Sequence, residues 1–288
     1  MMTWNLVSRS FRLLGSHKKL MVFPILSAIG AVALALPFLL ALFGMRPAGG
    51  LRWGSNTWLL VFLWYCGASF ITVFCNCALA ACVQLEFAGQ SATLGDGLRR
   101  AASRVHTILL WSLAAATVGH IARLVEARAG WPGRLIIGFF GLGWGMATYL
   151  VVPVLVMEEA GLMDSIRRSA SLLRQTWGEQ IISGLAFGWL GLLFAVPGIV
   201  LGVLGANGHP IFMVPAILWF ATMMAAFTAA SEIFTVALYR YATTGQAPSG
   251  YDAATLGAAL GRRGGGAYRS PLGVTLQPRR PTAYVPRR

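Results

Sequence analysis

Charge is what this sequence has least of. Only 11% of its 288 residues are Asp, Glu, Lys or Arg, and nine of them are acidic. A water-soluble domain carries about a quarter charged residues. With 57% hydrophobic residues and a mean hydropathy of +0.67, a soluble globular protein is excluded and a multi-span membrane protein is expected. Lysine is almost missing as well, at two residues against 21 Arg. Cysteine is scarce, and Cys66, Cys75, Cys77 and Cys82 fall in one apolar stretch. On a helix Cys75 and Cys82 stand about 10 Å apart along the axis, beyond disulfide reach. Cys75 and Cys77 point to nearly opposite faces, and no histidine accompanies them for a zinc site. All four read as small buried apolar residues.

Catalytic signatures are also lacking. There is no phosphate loop, zinc signature, nucleophile elbow or pair of catalytic carboxylates. Glu158 and Glu159 are adjacent, so they diverge on a helix. His17, His106, His120 and His209 are scattered along the chain. No enzymatic activity, metal or cofactor is expected.

What is present is a repeated alternation of apolar and basic stretches, clearest between Tyr149 and Glu179. An apolar span ends at Met157, Glu158 and Glu159 mark a polar boundary, and a basic segment Leu162 to Arg174 precedes a second span beginning near Ile181. Leu162, Ile166, Ala170 and Leu173 recur at helical spacing, while Arg167, Arg168, Ser171 and Arg174 fall mostly elsewhere. Asp164 suits the positive end of the helix dipole and stands four residues before Arg168, the favourable order for an ion pair. The segment is too short and too charged to span. It reads as a helix in the headgroup layer with its apolar face down.

The same reading runs along the chain. Met1 to Lys19 is a first basic amphipathic segment, followed by a span over Leu20 to Gly44 that is too long for a signal-peptide core. Further spans are expected at Thr57–Val83, His106–Ile121 (the weakest), Leu135–Met157, Ile181–Leu204 and Ile211–Tyr239. A second surface helix lies in Thr93–Arg104, where Thr93 and Asp96 fit a loose capping box. Loops are expected at Met45–Asn56 and Arg123–Arg134, and a basic tail after residue 242, its last part disordered. The fold class is thus all-α, an integral bundle of six transmembrane helices with basic surface helices. The domains are residues 1–242 in the membrane and 243–288 as tail.

With a cytoplasmic N-terminus, six spans place 18 of the 23 Lys and Arg in the cytoplasm. Both termini are therefore predicted inside. The net charge of +14 lies between spans and in the tail, which points to anionic lipid rather than nucleic acid. Leu94 to Ser103 aligns without gaps on Leu162 to Ser171, giving L-x-D-x-[LI]-R-R-[AS]-A-S, and Ser8 to Leu14 is a looser third copy. Each precedes a pair of spans, so the repeat would be three parallel units rather than an inverted pair.

The stretch VVPVLVMEEAGLMDSIRRSASLLRQTWGE, with the later ALYRYATTGQAPSGYDAATLGAAL, resembles a family of uncharacterised bacterial integral membrane proteins. These are similar to the membrane domain beside some glycerophosphodiester phosphodiesterases. The resemblance implies six spans and a cell inner-membrane location, and it implies no activity.

Two functional expectations follow. In the first, Arg99, Arg100, Arg167 and Arg168 hold anionic lipid headgroups or a membrane protein partner at the cytoplasmic face. In the second, a small transporter or channel uses Glu232, the one acid well inside a span. An ionisable group there costs about 2.5–3.5 kcal/mol at the span centre, so an Arg, a water or a hydroxyl is expected beside it. Gly184, Gly188, Gly198 and Gly202, and the cluster Gly141, Gly143 and Gly145, would permit close helix approach.

Overall fold

The structure, a computed structural model, describes residues 2–44, 55–158, 160–174, 180–207, 209–251 and 256. Among these residues the chain is all-helical and contains no strand. The helices are α1 (Met2–Ser16), α2 (Val22–Gly44), α3 (Ser55–Phe87), α4 (Leu94–Ala102), α5 (Val105–Arg128), α6 (Trp131–Thr148), α7 (Val151–Met157), α8 (Leu162–Arg174), α9 (Gln180–Ala206) and α10 (Met213–Thr244), with short 3-10 turns at Lys18–Met21 and Pro210–Phe212.

Five stretches are long and apolar enough to cross a membrane: Lys18–Phe38, Leu59–Phe87, Val105–Arg128, Trp131–Met157 and Met213–Thr244. Helix is the form such segments must take, because hydrocarbon offers no partner to an open backbone amide. The stretch expected as a further span is helical as α9, and its described apolar part is the shorter Gly191–Ala206. Two boundaries differ from expectation. The weak third span is a full helix, since Ala122 to Arg128 continue α5 rather than opening a loop, and Ala129–Gly130 alone separates α5 from α6. The span ending at Met157 is broken, with Tyr149 and Leu150 between α6 and α7. The loop expected at 45–56 and the last part of the tail lie outside the described residues.

α3 is the hub, packing on α2, α4, α5, α7 and α10. Its second half is Cys75-Asn-Cys-Ala-Leu-Ala-Ala-Cys-Val83, rich in small side chains that let five neighbours approach, and all but Asn76 are buried. Cys75, Cys77 and Cys82 are buried free thiols, as expected, and Cys66 is half-buried. The core gathers at one end of the bundle. Leu20 and Phe23 at the start of α2, Cys75 to Val83 of α3, Leu150 and Val154, and Ala229 to Tyr239 of α10 form one cluster. Tyr251 and Leu256, in the segment read as tail, are buried in the same cluster. Toward the opposite end, Ile29, Val32, Ile136, Phe139, Leu193 and Ile217 are exposed. Such a surface suits lipid chains and not water.

The glycine expectations are met in part. A Cβ at Gly198 would stand 2.7 Å from Trp219 Cδ1, so α9 and α10 do approach closely there. Gly141, Gly143, Gly145 and Gly202 face open space, and the side-chain surroundings of Gly184 and Gly188 lie outside the described residues.

Candidate functional site: the basic pole

α1, α4 and α8 gather at the end of the bundle that holds the core. α4 starts with a complete capping box: the Asp96 N–H donates to Thr93 Oγ1 at 3.2 Å, and the Thr93 N–H donates to Asp96 Oδ2 at 3.0 Å. Bonding to Thr93 holds the Asp96 carboxyl below its usual pKa. α4 then lies against α3 through Gly97 and Ala101, both buried. Small side chains at that spacing bring the helix close, and Arg99 and Arg100 on the same helix keep much of their surface exposed.

α8 follows the same plan with a different inner face from the one its apolar spacing suggests. Its fully buried positions are Ser165 and Ser169, with Leu172 nearly so. Leu162 and Ile166 pack at the side against Trp111, Val151 and Leu155, and Met163 is exposed. The helix rests on α6 and α7. Ser169 Oγ accepts the Leu150 N–H at 3.1 Å, and Ser165 Oγ donates to the Gly161 carbonyl at 2.8 Å. The Ser169 hydroxyl therefore satisfies an N–H that the helix break leaves open, while the Ser165 hydroxyl adds a second bond to a carbonyl that already accepts the Ser165 N–H at 2.9 Å.

Two acid clasps tie the pole together. Glu158 Oε1 accepts from Arg168 Nε at 3.1 Å and from the Tyr239 hydroxyl at 2.9 Å, joining the end of α7 to α8 and α10. Asp164, the partner expected for Arg168, is exposed. Glu86 Oε1 meets Lys19 Nζ at 2.9 Å and accepts the Ala92 N–H at 3.2 Å, while His17 Nδ1 lies 3.4 Å from Glu86 Oε2. α1 is anchored by Ser10, fully buried, with its hydroxyl 2.6 Å from that of Tyr251. Burial pushes the Tyr251 phenol above its usual pKa.

The four arginines separate into two pairs. Arg100 Nε donates to the Val156 carbonyl at 3.1 Å, and Arg168 Nε to Glu158. Both therefore converge on the last turn of α7 and are engaged within the protein. Arg99 and Arg167 are exposed, and among the described residues neither has a hydrogen bond or salt bridge. Glu232 is remote from all four in its bonding. Its Oε1 is buried and has no hydrogen-bond partner among the described residues, so neither the Arg nor the hydroxyl expected as alternatives is bonded to that oxygen.

Sequence reasoning placed Glu158 only at a polar boundary and gave no role to Glu86, Tyr239 or Arg240, whose Nη1 is buried without a partner among the described residues. A signal for the two acids was present: Glu86-Phe-Ala-Gly89 and Glu158-Glu-Ala-Gly161 precede the two matched helices, with four extra residues, 90–93, in the first copy. Among the described residues no group of three or more His, Cys, Asp or Glu could hold a metal ion.

The chain belongs to a family of unknown function, DUF6159, whose pattern matches residues 55–250. No curated protein and no solved structure matches it.

Proposed function

We propose that this is a multi-pass protein of the cell inner membrane, non-enzymatic, whose basic pole faces the cytoplasm and holds anionic lipid headgroups. The observation that carries the reading is the exposure of Arg99 and Arg167 at equivalent positions of two matched helices, neither engaged in a hydrogen bond or salt bridge among the described residues. Their neighbours Arg100 and Arg168 are bonded inward. The inner pair fixes each helix, and the outer pair presents guanidinium groups suited to bidentate contact with phosphate oxygens.

The wider reading has six spans, with α9 as the fifth. Its 27 residues reach about 40 Å, which suffices for the hydrocarbon. Three parallel repeats are supported by a shared inner position. In the alignment of the three copies Ser10, Ala101 and Ser169 correspond, and each is fully buried. Both termini inside follows from the excess of arginine near this pole. The resemblance to the membrane domain beside some glycerophosphodiester phosphodiesterases belongs to the same proposal, as does a membrane protein partner docking on the outer arginines.

The test is native mass spectrometry of protein extracted with its own lipids, on wild type and Arg99→Gln/Arg167→Gln. Retained phosphatidylglycerol or cardiolipin that is lost in the double variant, with the thermal midpoint unchanged, is the expected result. Equal retention in both proteins, or a wild type carrying no anionic lipid, refutes it. A co-purifying protein lost in the variant would move the reading to the partner.

A further inference from the structure

The fourth span is interrupted inside the bundle. α6 ends at Thr148 and α7 starts at Val151. Pro153 has no N–H for the Tyr149 carbonyl four residues earlier, and the Leu150 N–H turns aside to Ser169. At this break Tyr149 reaches α10, where its phenol meets Thr235. One turn before Thr235 is Glu232, with its Oε1 buried and unpartnered. The Cys77 thiol of α3, fully buried, and the Tyr149 phenol are the titratable groups close enough to feel its charge.

The elements around α10 bring no countercharge. α2, α7 and α9 contain no titratable side chain. On α3, Tyr65 and Cys66 are far from the pole, Cys75 and Cys82 are neutral thiols, and Glu86 is held by Lys19. Lys18 is exposed. On α1, Arg9 acts on Tyr251 and Arg12 is exposed. On α10 itself, Tyr239 is bonded to Glu158 and Arg240 lies about 12 Å further along the axis. Among the described residues no basic side chain acts on Glu232.

A half-buried carboxyl in a span, with one oxygen fully buried and without a partner among the described residues and no cation beside it, favours its neutral form. An ionisable group beside an interrupted membrane helix is an arrangement suited to ion handling. We propose that Glu232, set against the α6–α7 break with Tyr149 and Thr235, is a proton-binding site within the bundle. Its ligand is a single proton, since the carboxyl alone accommodates one, whereas a sodium ion needs several more oxygens converging on it. This site is independent of the headgroup reading.

The experiment uses the full chain in liposomes treated with dicyclohexylcarbodiimide, which adds to neutral carboxyl groups in apolar surroundings. Adducts are mapped by peptide mass spectrometry across a pH series. Glu232 labels in wild type, and labelling falls about tenfold for each pH unit above its titration. Sodium at constant pH gives no protection, and Arg99→Gln/Arg167→Gln labels normally. No adduct at Glu232 at any pH, labelling that ignores pH, or protection by sodium overturns the proposal. Infrared difference spectra supply a second reading that needs no reagent access: a protonated-carboxyl band lost in Glu232→Gln is expected, and its absence from wild type overturns the proposal.

Discussion

Gly97 is where α4 comes closest to α3, and adding a side chain there tests whether that contact seats the helix. A Cβ would stand 2.5 Å from the Ala78 carbonyl oxygen, 2.5 Å from Cys82 Sγ and 3.1 Å from Phe23 Cζ. The first of these is backbone and cannot swing aside, so α4 must lift. Overpacking of this kind costs about 1–3 kcal/mol, and Val adds two methyl groups that place it in the upper half of that range. Relief of the glycine penalty within a helix returns about 0.5 kcal/mol. The net expectation for Gly97→Val is a loss of about 2 kcal/mol, or roughly 4–8 °C in thermal midpoint for a chain of this size. Gly95→Val is the matched control on the same helix. Its Cβ would meet only Thr93 Oγ1, at 3.7 Å, and its effect should stay within about 0.5 kcal/mol. Unfolding in detergent gives the midpoint. Maleimide labelling resolved by peptide gives the mechanism, because Cys82 is buried and its thiol bonds the Thr93 carbonyl beneath α4. A lifted α4 exposes Cys82. If Gly97→Val keeps the wild-type midpoint and Cys82 stays protected, the seating argument is wrong.

Ser169→Ala should leave the Leu150 N–H without its acceptor, costing about 1–3 kcal/mol, and hydrogen exchange at residue 150 should quicken while that of α10 stays slow. A double-mutant cycle on Glu158→Ala and Arg168→Ala should give a coupling of at most about 1 kcal/mol, because both side chains are partly exposed, and the coupling should shrink with added salt. The Asp96 carboxyl has its folded pKa lowered, so its stabilising effect is full above the unfolded pKa and is lost as pH falls through the folded one. Exchange protection in α4 should therefore drop on strong acidification, and Asp96→Asn should remove that dependence.

Hydropathy and capping chemistry were legible in the chain. Apolar length gave five of the six expected spans because the bilayer imposes a single criterion on all of them, and Thr93 with Asp96 gave a helix start because the cap is local. The inner face of α8 was not legible. Apolar spacing selected Leu162 and Ile166, yet the positions driven deepest are Ser165 and Ser169, which fit where helices approach closely and bond to backbone. Size and hydrogen-bonding need outweighed hydrophobicity there. The Glu158 clasp was hidden for another reason: Tyr239 is 81 residues away, and no local pattern connects them. The surroundings of Glu232 were not legible for the same reason. An Arg, a water or a hydroxyl was expected beside it, but the packing of α10 on α3 and the α6–α7 break determines what stands there.

The bond between Ser10 and Tyr251 spans 241 residues, and the other surfaces on which α1 rests, α9 and α10, are also made late. At roughly 5–20 residues per second during synthesis, about 12–50 s separate the emergence of α1 from that of its last partner. Through that interval an amphipathic helix bearing Arg9 and Arg12 lacks the surfaces of α9 and α10 and the Tyr251 hydroxyl, and a bilayer surface would suit both its faces. α1 is thus made before these partners and seated on them only after they emerge.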